Sequence, residues 1–102
     1  MKIKRLYDAY KRQIPVQELE KFRVHGSLIK TYKDAGASIQ KIVYKDNLTQ
    51  YAYLIAWKDL SLMDKEYGTN AARLFNSWED ARSYWNNHIL PSKTCDERIP
   101  EL

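Results

Sequence analysis

Two runs of strand-forming residues around a short polar break place the strongest constraint on this chain. Ser38 to Lys45 and Gln50 to Lys58 are rich in β-branched and aromatic side chains, and Asp46-Asn47 between them is turn chemistry. A hairpin is predicted there. An even-residue connection, either Asp46-Asn47 alone or Asp46 to Thr49, decides which side chains share a face. One face then carries Gln40, Ile42, Tyr44, Tyr51, Tyr53, Ile55 and Trp57. The other carries Ile39, Lys41, Val43, Ala52, Leu54 and Ala56, small enough in places for a helix to lie close.

Helical spacing is read on both sides of the hairpin. Ile3, Leu6, Tyr7, Tyr10 and Ile14 follow one helical stripe, so residues 2–13 are expected as an amphipathic helix ending at Pro15. A second helix is expected from Pro15 to about Ala35, with Val16, Leu19, Phe22, Ile29 and Tyr32 inward. His25-Gly26-Ser27 is a place where it could split, and Gly36 supplies a left-handed stop. The alternative makes Leu28 to Lys33 a strand paired with residues 38–45 across Asp34-Ala35-Gly36-Ala37. Residues 59–70 read as a polar connection with a turn at Tyr67 to Asn70, and Ala71 to Phe75 as a third strand. Asn76 with Glu79, or Ser77 with Asp80, has capping-box spacing for a last helix. Trp78, Ala81, Trp85 and Ile89 form its stripe, Tyr84 flanks it, and Pro91 lies beyond its end.

The expected architecture is α+β: two N-terminal helices, a three-stranded antiparallel sheet and a C-terminal helix. With 102 residues there is chain for one domain, placed at 1–90, with 91–102 as an extended or mobile tail. One core is expected, holding Phe22, Ile29, Leu54, Ala56, Trp78 and Trp85.

Charge is unevenly distributed along the chain. Nine bases and three acids lie between Met1 and Lys33, a balance of +6, and the remainder carries −2. A basic end of this kind attracts nucleic acid or an acidic protein surface, and otherwise serves as a solvated helix face. Lys4, Arg5, Lys11 and Arg12 on the first helix, with Lys45 and Lys58 at the hairpin ends, are the candidate phosphate contacts. Tyr44, Tyr51, Tyr53 and Trp57 are the candidate aromatic interface. Bases stack on such platforms, and tyrosine and tryptophan also anchor protein interfaces. The competing reading buries that face as core beneath Trp78 and Trp85.

Catalytic and metal-binding chemistry is sparse. His25, His88 and Cys95 sit in no nucleophile or ligand motif, and Gly26, Gly36 and Gly68 form no phosphate-cradling loop. Asp59, Asp64 and Glu66 read as solvating residues, and His88 as a helix C-terminal residue suited to the dipole. No catalytic residue, metal or cofactor is expected. A lone cysteine suggests a reducing compartment, and the first ten residues lack a signal peptide's apolar segment. No apolar run reaches the ~20 residues of a membrane span. The expectation is a cytoplasmic, non-enzymatic binding or regulatory protein, an accessory or mobile-element protein, with nucleic acid as the leading partner. The alternative is a protein-binding inhibitor or adaptor, and the aromatic face is also compatible with a homodimer.

Tyr53-Leu54-Ile55-Ala56-Trp57 followed by Leu74-Phe75-Asn76-Ser77-Trp78-Glu79-Asp80-Ala81 resembles the arm-type DNA-binding domains of tyrosine recombinases. That resemblance implies a three-stranded sheet followed by a helix. The order helix, three strands, helix is also similar to double-stranded RNA-binding domains. Those carry lysines where this chain has Glu79 and Asp80. The chain is assigned to neither family.

Overall fold

The computed structural model describes residues 3–23, 27–58, 69–91, 94 and 96–100. Six strands form one mixed sheet: β1 (Arg5–Tyr7), β2 (Gln13–Ile14), β3 (Ser27–Tyr32), β4 (Ala37–Val43), β5 (Tyr51–Trp57) and β6 (Ala71–Phe75). Their spatial order is β2-β1-β6-β5-β4-β3. All neighbours are antiparallel except β1 and β6, which run parallel with Leu6 opposite Ala72. One helix, α1 (Trp78–Tyr84), continues into a π turn over Trp85–Ile89 and covers one sheet face.

The two expected N-terminal helices and the three-stranded antiparallel sheet are therefore corrected. Residues 2–13 have the apolar spacing of a helix, but Asp8 turns the chain. Its carboxylate accepts the Tyr10 and Arg12 N–H groups at 2.8 and 2.9 Å, and Lys11 takes a left-handed φ of 66°. Leu6 and Tyr7 then fall on opposite sheet faces, both apolar, so no polar alternation marks the strand. An isolated helix this short is marginal, and pairing with β6 outweighs it. The second predicted helix survives only as a 3-10 segment at Val16–Lys21. The chain beyond it joins β4 instead: Phe22 bridges to Tyr44, and β3 pairs along β4. The alternative strand over 28–33 is the arrangement seen, with a 3-10 turn at Lys33–Ala35 and Gly36 left-handed at φ 58°.

The hairpin strands stand where they were expected, but their facing is shifted by one residue. Tyr44 N–H bonds to Gln50 O at 3.0 Å, so the connection is Lys45 to Thr49, an odd number. Asn47 organises it: Oδ1 accepts from Thr49 N–H and Oγ1, and its carbonyl accepts from Gln50 N–H. Ile39 now sits opposite Ile55, and Lys41 opposite Tyr53. The helix covers the Tyr53, Ile55 and Trp57 face, not the small-residue face.

Two cores result. Trp57, Ile39, Ile55, Trp85 and Ile89 are buried between sheet and helix, with Ile29 and Trp78 at the margin. Phe22, Ile42, Leu54 and Ala56 form a separate cluster on the opposite face, beneath the 3-10 segment. The single core expected for Phe22, Leu54, Ala56 and Trp85 is divided because the sheet itself lies between them. Ser77 caps α1, its Oγ accepting from Asp80 N–H at 3.4 Å. The π turn adds one residue per turn, so the adjacent Trp85 and Asn86 both face inward and Tyr84 is buried rather than flanking. Trp85 Nε1 donates to Glu97 O at 2.8 Å, and Asn86 holds the backbone of Ile99 on both sides. His25, Gly26, Cys95 and the connection 59–68, with Asp59, Asp64 and Glu66, lie outside the described residues.

Candidate interaction surface

The sheet has two ends, and the topology sorts the candidate residues between them. At one end are the β1–β2 turn, the β4–β5 turn and the start of α1. Tyr10, Leu48 and Tyr51 lie at this end, exposed by 79%, 56% and 45%, three of the four most open large apolar side chains among the described residues.

Tyr51 is the centre of this surface. Lys41 lies beside it in the β4–β5 ladder, its Nζ 4.0 Å from the ring centroid, a cation–π contact that fixes the ring and sets a positive charge next to it. Tyr53 meets Tyr51 edge-on at 5.8 Å, and Trp78 at the head of α1 meets Tyr53 at 5.1 Å. Burial, and then the neighbouring Tyr51, push the Tyr53 hydroxyl above the usual tyrosine range. It stays neutral at physiological pH.

The β1–β2 turn supplies the other half. Arg12 pairs with Asp8 at 2.9 Å and lies 5.4 Å from the Tyr10 ring. The turn is propped from beneath by Arg73, a buried cation on β6. Arg73 donates to Ala9 O at 2.6 Å and to Asp8 O at 3.3 Å, and stacks over Tyr84 and Phe75. A guanidinium can hold two carbonyls and two rings at once because its donors fan out in a plane. Burial pushes the Asp8 carboxyl up, but the N–H groups of Arg12 and Tyr10 and the Arg12 guanidinium outweigh it and hold Asp8 below the usual carboxylate range.

Among the candidate phosphate contacts, Lys11, Arg12 and Lys45 belong to this end. Lys4, Arg5 and Lys58 stand at the opposite end, where Lys4 N–H bonds to Asn70 O and Asn70 N–H to Lys58 O. The +6 segment does not form one patch. Residues 3–14 build β1 and β2 at one sheet edge and residues 27–32 build β3 at the other, with β6, β5 and β4 between them. Lysine on edge strands also discourages pairing with other chains.

The four candidate aromatics are likewise divided. Trp57 is fully buried and Tyr53 is 9% exposed, so both are core on the helix face. Tyr44 is on the other face, its ring 4.3 Å from Phe22, because of the odd-length connection. Of the four, only Tyr51 is exposed, and Tyr44 is half-buried. Sequence reasoning missed Lys41, Tyr10, Leu48 and Trp78 as surface members. Tyr10 beside Lys11-Arg12 was a legible signal for an exposed ring with cations, obscured by its place on an apparent helical stripe.

His88 stacks on Tyr84 at 5.0 Å. Among the described residues no three of His, Cys, Asp and Glu converge as a metal site, and no helix is long and apolar enough to cross a membrane. No family model, curated protein or solved structure matches this chain.

Proposed function

We propose that this chain is a non-catalytic cytoplasmic binding protein that engages single-stranded nucleic acid at the hairpin end of its sheet. The observation carrying this reading is the interleaving of exposed rings and cations there. Tyr10 stands with Lys11 and Arg12, Tyr51 with Lys41, and Lys45 follows at the β4–β5 turn. Base–aromatic stacking contributes ~1–3 kcal/mol per base, while cations hold the backbone. A duplex reader would need an element shaped for a groove, and α1 instead opens on Glu79 and Asp80.

The test is an anisotropy titration with labelled mixed-sequence single-stranded DNA and RNA at two salt concentrations. Binding should weaken with salt, by about 0.7 in log affinity per log salt for each phosphate contact. Tyr51→Ala should weaken it about tenfold, near 1.4 kcal/mol. The pair Lys4→Ala and Arg5→Ala, at the far end, should leave it unchanged. Absence of binding at low salt refutes the reading. Leu48, 56% exposed, favours a second one, a protein partner with apolar and basic contacts. Salt-insensitive capture of such a partner, lost on Leu48→Asp, would replace the first.

A further inference from the structure

The sheet face opposite α1 carries a cleft of about 290 Å³ that is unrelated to the hairpin-end surface. Its origin is visible in the register. Ser38 and Ala56 lie side by side across β4 and β5, short side chains that leave a hollow. Ile42 and Leu54 complete the floor, and Leu19 and Phe22 from the crossing segment form a wall. The apolar floor is not matched by an apolar rim. Arg23, Ser38 and Gln40 line the same cleft. Among the described residues none is bonded to the side chains of these three, although Arg23 is anchored through its backbone N–H to Val43 O at 2.8 Å.

An apolar hollow with, among the described residues, one cation and two neutral hydrogen-bonding groups at its edge has a definite chemical preference. The hollow takes hydrocarbon, since an engineered apolar cavity of about half this volume binds benzene. The guanidinium takes a planar anion with two oxygens, which its fork matches. Gln40 and Ser38 donate as well. A single cation suits a single negative charge better than a phosphate. We propose that this cleft is a binding site for a small amphipathic carboxylate, with an aliphatic or aromatic body of about ten heavy atoms, judged from ~30 Å³ per water-sized volume. The body lies on Ile42, Leu54 and Ala56, and the carboxylate meets Arg23. The site is on the other face from Tyr51 and stands whether or not nucleic acid binds.

Octanoate and 1-octanol are the probes, followed by methyl and amide NMR on the full chain. Octanoate should shift Ile42, Leu54 and Ala56 saturably in the millimolar range, and 1-octanol should shift the same residues more weakly. Arg23→Gln should weaken octanoate about tenfold and leave 1-octanol unaltered. Ala56→Phe should fill the hollow and abolish both. Because Ala56 is 3% exposed and the larger ring could unfold the sheet, Ser38→Leu at the half-buried rim is the second blocking variant. No saturable shift with octanoate overturns the proposal. So does equal loss of both probes with Arg23→Gln, or octanoate binding that survives a folded blocking variant.

Discussion

Asn86 offers a sharp test of how the C-terminal segment is held. Its Nδ2 donates to Ile99 O at 2.7 Å and its Oδ1 accepts from Ile99 N–H at 2.8 Å, with Asn86 2% and Ile99 7% exposed. Docking of residues 97–99 gains these two bonds and the Trp85–Glu97 bond, about 1 kcal/mol net each. Burial of Ile99 adds about 2 kcal/mol. Ordering three residues costs about 1–1.5 kcal/mol each. The net is about 0.5–2 kcal/mol in favour of docking. Asn86→Ala removes two bonds and would strand the Ile99 N–H and C=O in an apolar site, which the remaining contacts cannot offset. The segment should therefore release, and release caps the cost. The expected loss is about 0.5–2 kcal/mol, a fall in Tm of roughly 2–16 °C for a domain of this size. Native-state hydrogen exchange distinguishes release from general softening. The Ile99 amide should lose its protection, while Ile55 at the sheet centre should change only by the global loss. Unchanged protection at Ile99, or a loss well beyond the cap, would refute the reasoning.

Two further perturbations address other parts of the molecule. Gly36→Ala places a Cβ in a left-handed backbone at φ 58° and 2.7 Å from Lys58 Cβ, so urea midpoints should report a loss of at least about 1–2 kcal/mol, smaller in a Lys58→Gly background. The depressed pKa of Asp8 means that its contribution is complete above the ordinary aspartate range and is lost as pH falls through the folded value. The protection of the Tyr10 and Arg12 amides, measured relative to their intrinsic exchange rates, should then fall in acid, and Asp8→Asn should remove that pH dependence while leaving Ile55 unaffected.

The chain itself determined β4, β5, β6 and the capped helix. Each has its signal within a few residues: β-branched and aromatic runs, Asn47 in a turn, Ser77 three residues before Asp80, Gly36 where only a left-handed residue fits. Tyr51, the one exposed ring among the four aromatics singled out on the hairpin, was also within reach of local reasoning. Tertiary structure decided the rest. Residues 5–7 become a strand because β6, far along the chain, accepts their backbone bonds, and no local pattern records so distant a partner, whereas residues 27–32 pair with β4 across the short connection at Lys33–Ala35, which the sequence offered only as its alternative. Strands apolar on both faces lose the period of two that identifies a strand, and here they mimicked the period of a helix. One residue more in the β4–β5 turn carried Tyr44 to the far face and brought Lys41 to Tyr51. The crossing from β2 to β3 then sent one continuous basic stretch to two opposite sheet edges. Charge composition is a property of sequence, but a charged surface is a property of where the strands lie.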